Sequence, residues 1–158
     1  MGFNKTNFSS KQVKKGPGFQ NCLHGNFEDK YKVSKYYGDR PIIYRSSLEL
    51  KYMINLERNP EVEKWSSEKI VIPYIIKEKI DGKYVDKKRN YHTDFIVHMK
   101  NGKIYVVEIK PYTLSPRTNN QIRSNPMIYK NACKWKAAIS YCKLKGYEFK
   151  VITDQDIK

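Results

Sequence analysis

The spacing of apolar residues changes along this chain, and each change predicts an element. Over residues 46–58, Leu48, Tyr52, Met53, Ile54 and Leu56 give a broad apolar face at helical spacing, and Pro60 follows the run. That pattern predicts a helix ending before the proline. Residues 70–80 predict a strand interrupted at Pro73, which turns at Asp81-Gly82 into Lys83-Tyr84-Val85; the charged residues 86–90 predict a loop. Two β-branched and aromatic runs follow, Tyr91-His92-Thr93-Asp94-Phe95-Ile96-Val97 and Ile104-Tyr105-Val106-Val107-Glu108-Ile109-Lys110, with Asn101-Gly102 between them. They predict paired strands joined by a tight turn. Residues 111–123, with two prolines, predict a loop.

Pro126 opens a second predicted helix, which ends near Lys145 with Gly146 just past it. Its expected core stripe is Ile128, Ala132, Trp135, Ile139 and Cys142, with Lys130, Lys134 and Lys145 opposite and Lys136 and Lys143 flanking. A strand over residues 148–153 closes the chain. A helix between two strands implies a parallel crossover beside the antiparallel pair, hence an α/β fold with a mixed sheet. The tyrosine-rich residues 28–44 predict no regular element.

An Asp and a Glu-x-Lys do not belong in such apolar strands unless they bind something. Hairpin register decides whether they meet. A two-residue loop at Asn101-Gly102 would set Asp94 opposite Ile109. A three-residue loop, Lys100-Asn101-Gly102, sets Met99 opposite Lys103 and Asp94 opposite Glu108, with Gly102 where positive φ is favoured. In that register His92 faces Lys110, and Glu108 and Lys110 share a face because side chains alternate. A cross-strand ion pair on a solvated face is the alternative. Both strands are apolar on both faces, as buried central strands are, which favours a site for a divalent cation, a water and a phosphate. Glu49 has two readings. Ser46-Ser47-Leu48-Glu49 is a capping box, the reading the residues alone favour; the alternative makes Glu49 a third carboxylate projecting from a helix beside the strands.

Charge points to the same substrate. Among 158 residues, 31 Lys and Arg stand against 16 Asp and Glu, a formal net charge of +15. Acidic residues are absent before Glu28 and between Glu108 and Glu148. The carboxylates of the candidate site therefore sit between basic flanks that attract a phosphate polyanion. Lys14 and Lys15 lie in a polar stretch over residues 1–27 that reads as a flexible basic arm, binding DNA or protein, or serving only solubility. Residues 28–158 read as one domain. Arg117, Gln121, Arg123, Lys130 and Lys134 are further candidate DNA contacts. Three cysteines, Cys22, Cys133 and Cys142, without a Cys-x-x-Cys pair, predict reduced thiols rather than a zinc finger or a disulfide framework. No apolar run approaches a membrane span.

A helix glutamate, a strand aspartate and Glu-x-Lys on the next strand, then a helix and a strand, resemble the PD-(D/E)XK nuclease superfamily. The phrases Arg45-Ser46-Ser47-Leu48-Glu49, Asp94-Phe95, Glu108-Ile109-Lys110-Pro111 and Val151-Ile152-Thr153-Asp154 are most similar to its TnsA-like branch. Size, basic arm and spacing are similar to the head-completion nucleases of T-even-type tailed phages. Thr93 replaces the proline that names the superfamily, and Glu108 stands where many TnsA-like sites carry Gln.

The resemblance implies a restriction-endonuclease-like core, a mixed central sheet flanked by helices. It implies catalytic Glu49, Asp94, Glu108 and Lys110, with Mg²⁺ (Mn²⁺ substituting) held by Glu49, Asp94, Glu108 and the Ile109 carbonyl. The expected activity is Mg²⁺-dependent endonucleolytic hydrolysis of DNA ends during virion maturation, with DNA and phage head or portal proteins as partners and no membrane. The expected location is the host cytoplasm during assembly and the virion, without secretion. The alternatives are a non-catalytic DNA-binding virion protein and a TnsA-like transposon end-cleaving subunit, which normally carries a second domain not expected here.

Overall fold

The computed structural model describes residues 23–157. Lys14 and Lys15 therefore lie outside the described residues, as does most of the stretch expected to form the arm. The last part of that stretch belongs to the folded body. Strand β1 (Gly25–Asn26) pairs antiparallel with β2 (Ile43–Tyr44), and Phe27 is buried in the core.

Helix α1 (Ser47–Arg58) starts where its sequence sets it: the Ser46 hydroxyl accepts from the Glu49 amide at 3.1 Å. Such a cap contributes about 1 kcal/mol. Strand β3 (Val62–Ser67) follows, and then a long ribbon of β4 (Val71–Ile80) and β5 (Lys83–His92). Strands β6 (Phe95–Met99) and β7 (Ile104–Ile109) come next, then α2 (Asn119–Ser124), α3 (Pro126–Lys145) and β8 (Glu148–Ile152). Pro126 occupies the first turn of α3 and Gly146 ends it at φ +74°.

The central sheet has the order β3-β6-β7-β8, antiparallel except for the parallel β7–β8 pair that α3 connects. It is the mixed, helix-flanked sheet the sequence implied. Alternation divides the two faces. Phe95, Val97, Val107 and Ile109 join Met53 and Leu56 of α1 in one core with Trp65 and Phe27. The other face lies under α3, where Phe149, paired with Val106, packs 6.4 Å from Trp135 between ring centroids. A second core joins Ala138 of α3 to Ile72, Tyr74, Ile76 and Tyr91 of the ribbon. Trp135 is thus partly buried against the sheet, on the side of α3 where it was expected.

Several elements differ from expectation, among them α2 inside the stretch expected to be a loop and β2 inside the stretch given no regular element. Residues 86–90 are strand, because Asp86 pairs with Lys77 and Arg89 with Glu78 across the ribbon. Pro73 is tolerated there because a two-stranded ribbon consists of edge strands. Strand β3 was not expected; its alternation is broken by a register shift between Val62 and Lys64. The buried residues of α3 are Ile128, Asn131, Ala138 and Cys142, whereas Ile139 is exposed. The stripe is thus rotated from the predicted one, with Asn131 accommodated because its side-chain amide donates to the Leu114 carbonyl at 3.0 Å.

Candidate active site

The β6–β7 turn fixes the register. Met99 donates to the Lys103 carbonyl at 2.9 Å, the Gly102 amide donates to the Met99 carbonyl at 3.0 Å, and Gly102 has φ +88°. Phe95 pairs with Val107, so the next step along the ladder sets Asp94 across from Glu108. The three-residue loop is the one that forms. Asp94, Glu108 and Lys110 share the sheet face that α3 covers, since they alternate with Phe95, Val107 and Ile109.

Glu108 is buried, with 3% of its side chain exposed, and both of its oxygens are engaged. Oε1 lies 3.3 Å from Lys110 Nζ, and Oε2 accepts a 2.5 Å hydrogen bond from the Tyr91 hydroxyl. Asp94 caps the end of the ladder: its Oδ2 accepts from the Ile109 amide at 2.7 Å, and Oδ1 has no hydrogen-bond partner among the described residues. Burial, followed by the Glu108 charge, pushes the Asp94 carboxyl well above its ordinary range, against the pull of the Ile109 amide; the Glu49 charge pushes it further.

Glu49 reaches the same region from α1. Its carboxylate accepts from the Arg45 amide at 2.8 Å, rather than from the Ser46 amide that a full capping box would use. Burial raises its pKa, and the Glu108 charge acts in the same direction. Glu49 therefore closes the helix start and stands within the field of the other two carboxylates.

His92 is a correction. It pairs with Val71 at the base of the ribbon and is exposed. The chain breaks between β5 and β6, where Thr93 is buried and its amide donates to the Ile70 carbonyl at 3.1 Å, so the alternation expected from His92 to Asp94 does not continue. Lys134 is another. Expected on the solvent face of α3, it is half-buried, with Nζ 5.3 Å from the Tyr91 ring centroid. Burial and the Lys110 charge lower its pKa, while Glu108 and Asp94 act oppositely. The remaining candidates lie further out. Arg123 and Lys130 are exposed, and the Arg117 guanidinium stacks 4.4 Å from the Tyr112 ring centroid. Gln121 is committed to a capping box, its side-chain carbonyl accepting from the Thr118 amide at 3.2 Å, so only its side-chain NH2 is left to meet DNA.

Sequence reasoning missed Tyr91 and the placement of Lys134. Tyr91 looked like an ordinary strand aromatic; the available signal was its place three residues before Asp94. The loop after Lys110 is anchored as well, since the Tyr112 amide donates to Asp154 at 2.7 Å.

Among the described residues, no group of three or more His, Cys, Asp or Glu side chains is arranged to hold a metal ion. Lys110 and Tyr91 each engage one oxygen of Glu108, which leaves further lone pairs for a ligand. The donor set is all oxygen, and Asp94 and Glu49 both resist ionisation beside Glu108. A hard divalent cation relieves that repulsion, so the residues fit one.

Comparison with known proteins shows the family. Residues 59–154 match the TnsA-like endonuclease N-terminal family, a span that includes Asp94, Glu108 and Lys110. The chain is also 34% identical over 138 residues to the head completion nuclease of Enterobacteria phage T4, covering 80% of this chain and 88% of that protein. From its mixed sheet, its carboxylate-lysine cluster and these matches, the chain belongs to the TnsA-like endonuclease family.

Proposed function

We propose that this protein is a DNA endonuclease that hydrolyses phosphodiester bonds with a divalent cation, Mg²⁺ or in its place Mn²⁺, and acts on DNA ends as phage heads are completed. The observation that carries this reading is the buried Glu108 with Asp94 and Lys110 on one sheet face. A protein that only binds DNA has no use for paired carboxylates, which repel phosphate. The T4 relative is named a nuclease of head completion. On this reading the partners are DNA and phage head or portal proteins, and the protein works in the host cytoplasm during assembly and in the virion. Among the described residues, no helix is long and apolar enough to cross a membrane.

Glu49, Asp94, Glu108 and the Ile109 carbonyl are the groups that would hold the cation. Bound there, a divalent cation supplies Lewis-acid charge that makes water more acidic and offsets negative charge developing at phosphorus. The Ile109 amide fixes one Asp94 oxygen and so orients the other. Lys110 orients the attacking water and offsets charge on the pentavalent phosphorus. The water oxygen bonds to phosphorus as the bond to the departing strand breaks. Arg117, Arg123 and Lys130 hold the DNA backbone beside the site, with Lys14 and Lys15 extending that contact.

Incubation with linear, circular and branched DNA in Mg²⁺ and in Mn²⁺ tests the proposal. Cleavage of at least one form, abolished by EDTA, is expected. Binding without cleavage of any form would favour a structural role in the virion.

A further inference from the structure

Lys134 has no assigned role beyond a surface contact to DNA, yet its position is not a surface position. It lies on α3, on the same side of the sheet as Asp94, Glu108 and Lys110, half-buried with its ammonium 5.3 Å from the centre of the Tyr91 ring. The hydroxyl of that ring is bonded to Glu108, whose other oxygen meets Lys110. The two lysines therefore bracket the carboxylates, Lys110 from the end of β7 and Lys134 from the helix above.

A half-buried lysine ordinarily packs its stem and extends its ammonium to water or to a carboxylate. No carboxylate lies within salt-bridge distance of Lys134 among the described residues; the Tyr91 ring is the group it meets. A cation–π contact contributes about 0.5–2 kcal/mol and does not by itself explain a lysine placed within the field of the Lys110 charge. An anion between the two ammonium groups would explain both. Resting on the endonuclease reading above, we propose that Lys134 is a second catalytic lysine, which holds a non-bridging oxygen of the scissile phosphate opposite Lys110. Its charge counts most when that phosphorus becomes pentavalent and its oxygens carry more negative charge, so it acts on turnover more than on DNA affinity. No proton moves on Lys134 in this role.

The test compares Lys134→Met, which keeps the apolar stem over Tyr91, with Lys134→Arg and with Lys136→Gln. Lys136 is exposed on the same helix, about 200° around its axis from Lys134. Cleavage rates at saturating DNA, DNA affinity in EDTA and thermal stability are measured for each. Lys134→Met should lower kcat by roughly 10²-fold while its Kd and its melting temperature stay near wild type. Lys134→Arg should restore part of the rate, and Lys136→Gln should leave kcat unchanged. If Lys134→Met cuts at the wild-type rate, or loses rate only in step with lost stability or affinity, the proposal is overturned while the endonuclease reading stands. A wild-type protein that cuts no DNA would overturn both.

Discussion

Two tight antiparallel hairpins among the described residues treat charge in opposite ways. The β4–β5 ribbon turns at Asp81-Gly82, both at positive φ, and pairs ten residues with ten. Its charged residues are largely in water, and two pairs of them are matched across the strands, Lys77 with Asp86 and Glu78 with Arg89. The β6–β7 hairpin is shorter and lies in the middle of the sheet. There Glu108 is buried, Asp94 has no cationic partner among the described residues, and Glu49 adds its charge from α1. Matched charges on an exposed ribbon stabilise local structure and little else. Three crowded carboxylates beside one lysine oppose folding in a buried hairpin, and they persist where a ligand carries the balancing charge.

The contrast is broken most severely at Glu108. Glu108→Gln keeps the shape and an acceptor for Tyr91 while removing the charge, and should lower cleavage by roughly 10³-fold or more. A rate within tenfold of wild type would remove Glu108 from the chemistry. Tyr91→Phe should lower activity or metal affinity by about 10–100-fold, the usual effect of removing a group that orients a ligand. Unchanged kinetics and metal titration would make the 2.5 Å hydrogen bond purely structural.

A smaller effect lies in the metal-free stability. The Asp94 carboxyl holds its proton more tightly folded than unfolded, so the folded state binds more protons between the ordinary aspartate range, near 3.8, and its higher folded value. Stability contributed by this group therefore falls as pH rises through that window, and Glu49 acts in the same direction. Asp94→Asn should stabilise the protein in EDTA by about 0.5–2 kcal/mol at neutral pH. The gap in melting temperature should narrow toward acid, and a gap that stays constant or reverses with pH would contradict the charge account.

The smallest effects belong to the ribbon. Asp86→Asn should cost less than about 1 kcal/mol, the usual range for solvent-exposed pairs, and leave DNA cleavage unchanged. A large loss of cleavage would mean that the ribbon's charges belong to the functional surface after all.

The same contrast explains what could be read before the fold was known. Gly102 suits either loop length, and the β6–β7 register was legible because only the three-residue loop brings Asp94 across from Glu108. Ser46, Pro126 and Gly146 marked helix ends through local backbone chemistry that does not depend on the rest of the chain. The second half of the ribbon was not legible. Asp86-Lys87-Lys88-Arg89 reads as a solvated loop, and only cross-strand partners make it a strand. Strand β3 was hidden by its irregular register. On α3, Asn131 and Lys134 fall on the inward face, so the apolar pattern indicated the wrong rotation of the helix. Buried polar positions break the periodicity from which burial is inferred, and Lys134 was misplaced for that reason.

The central claim is that the crowded carboxylates perform catalysis, and Asp94→Asn measured for cleavage and binding on one DNA substrate tests it most directly. In Mg²⁺ the wild type should cut and the variant should not. In EDTA the variant should bind DNA as tightly as the wild type or more tightly, because a negative charge beside the phosphate has gone. Equal cutting by the two proteins, or loss of both cutting and binding in a variant that remains folded, would contradict the account.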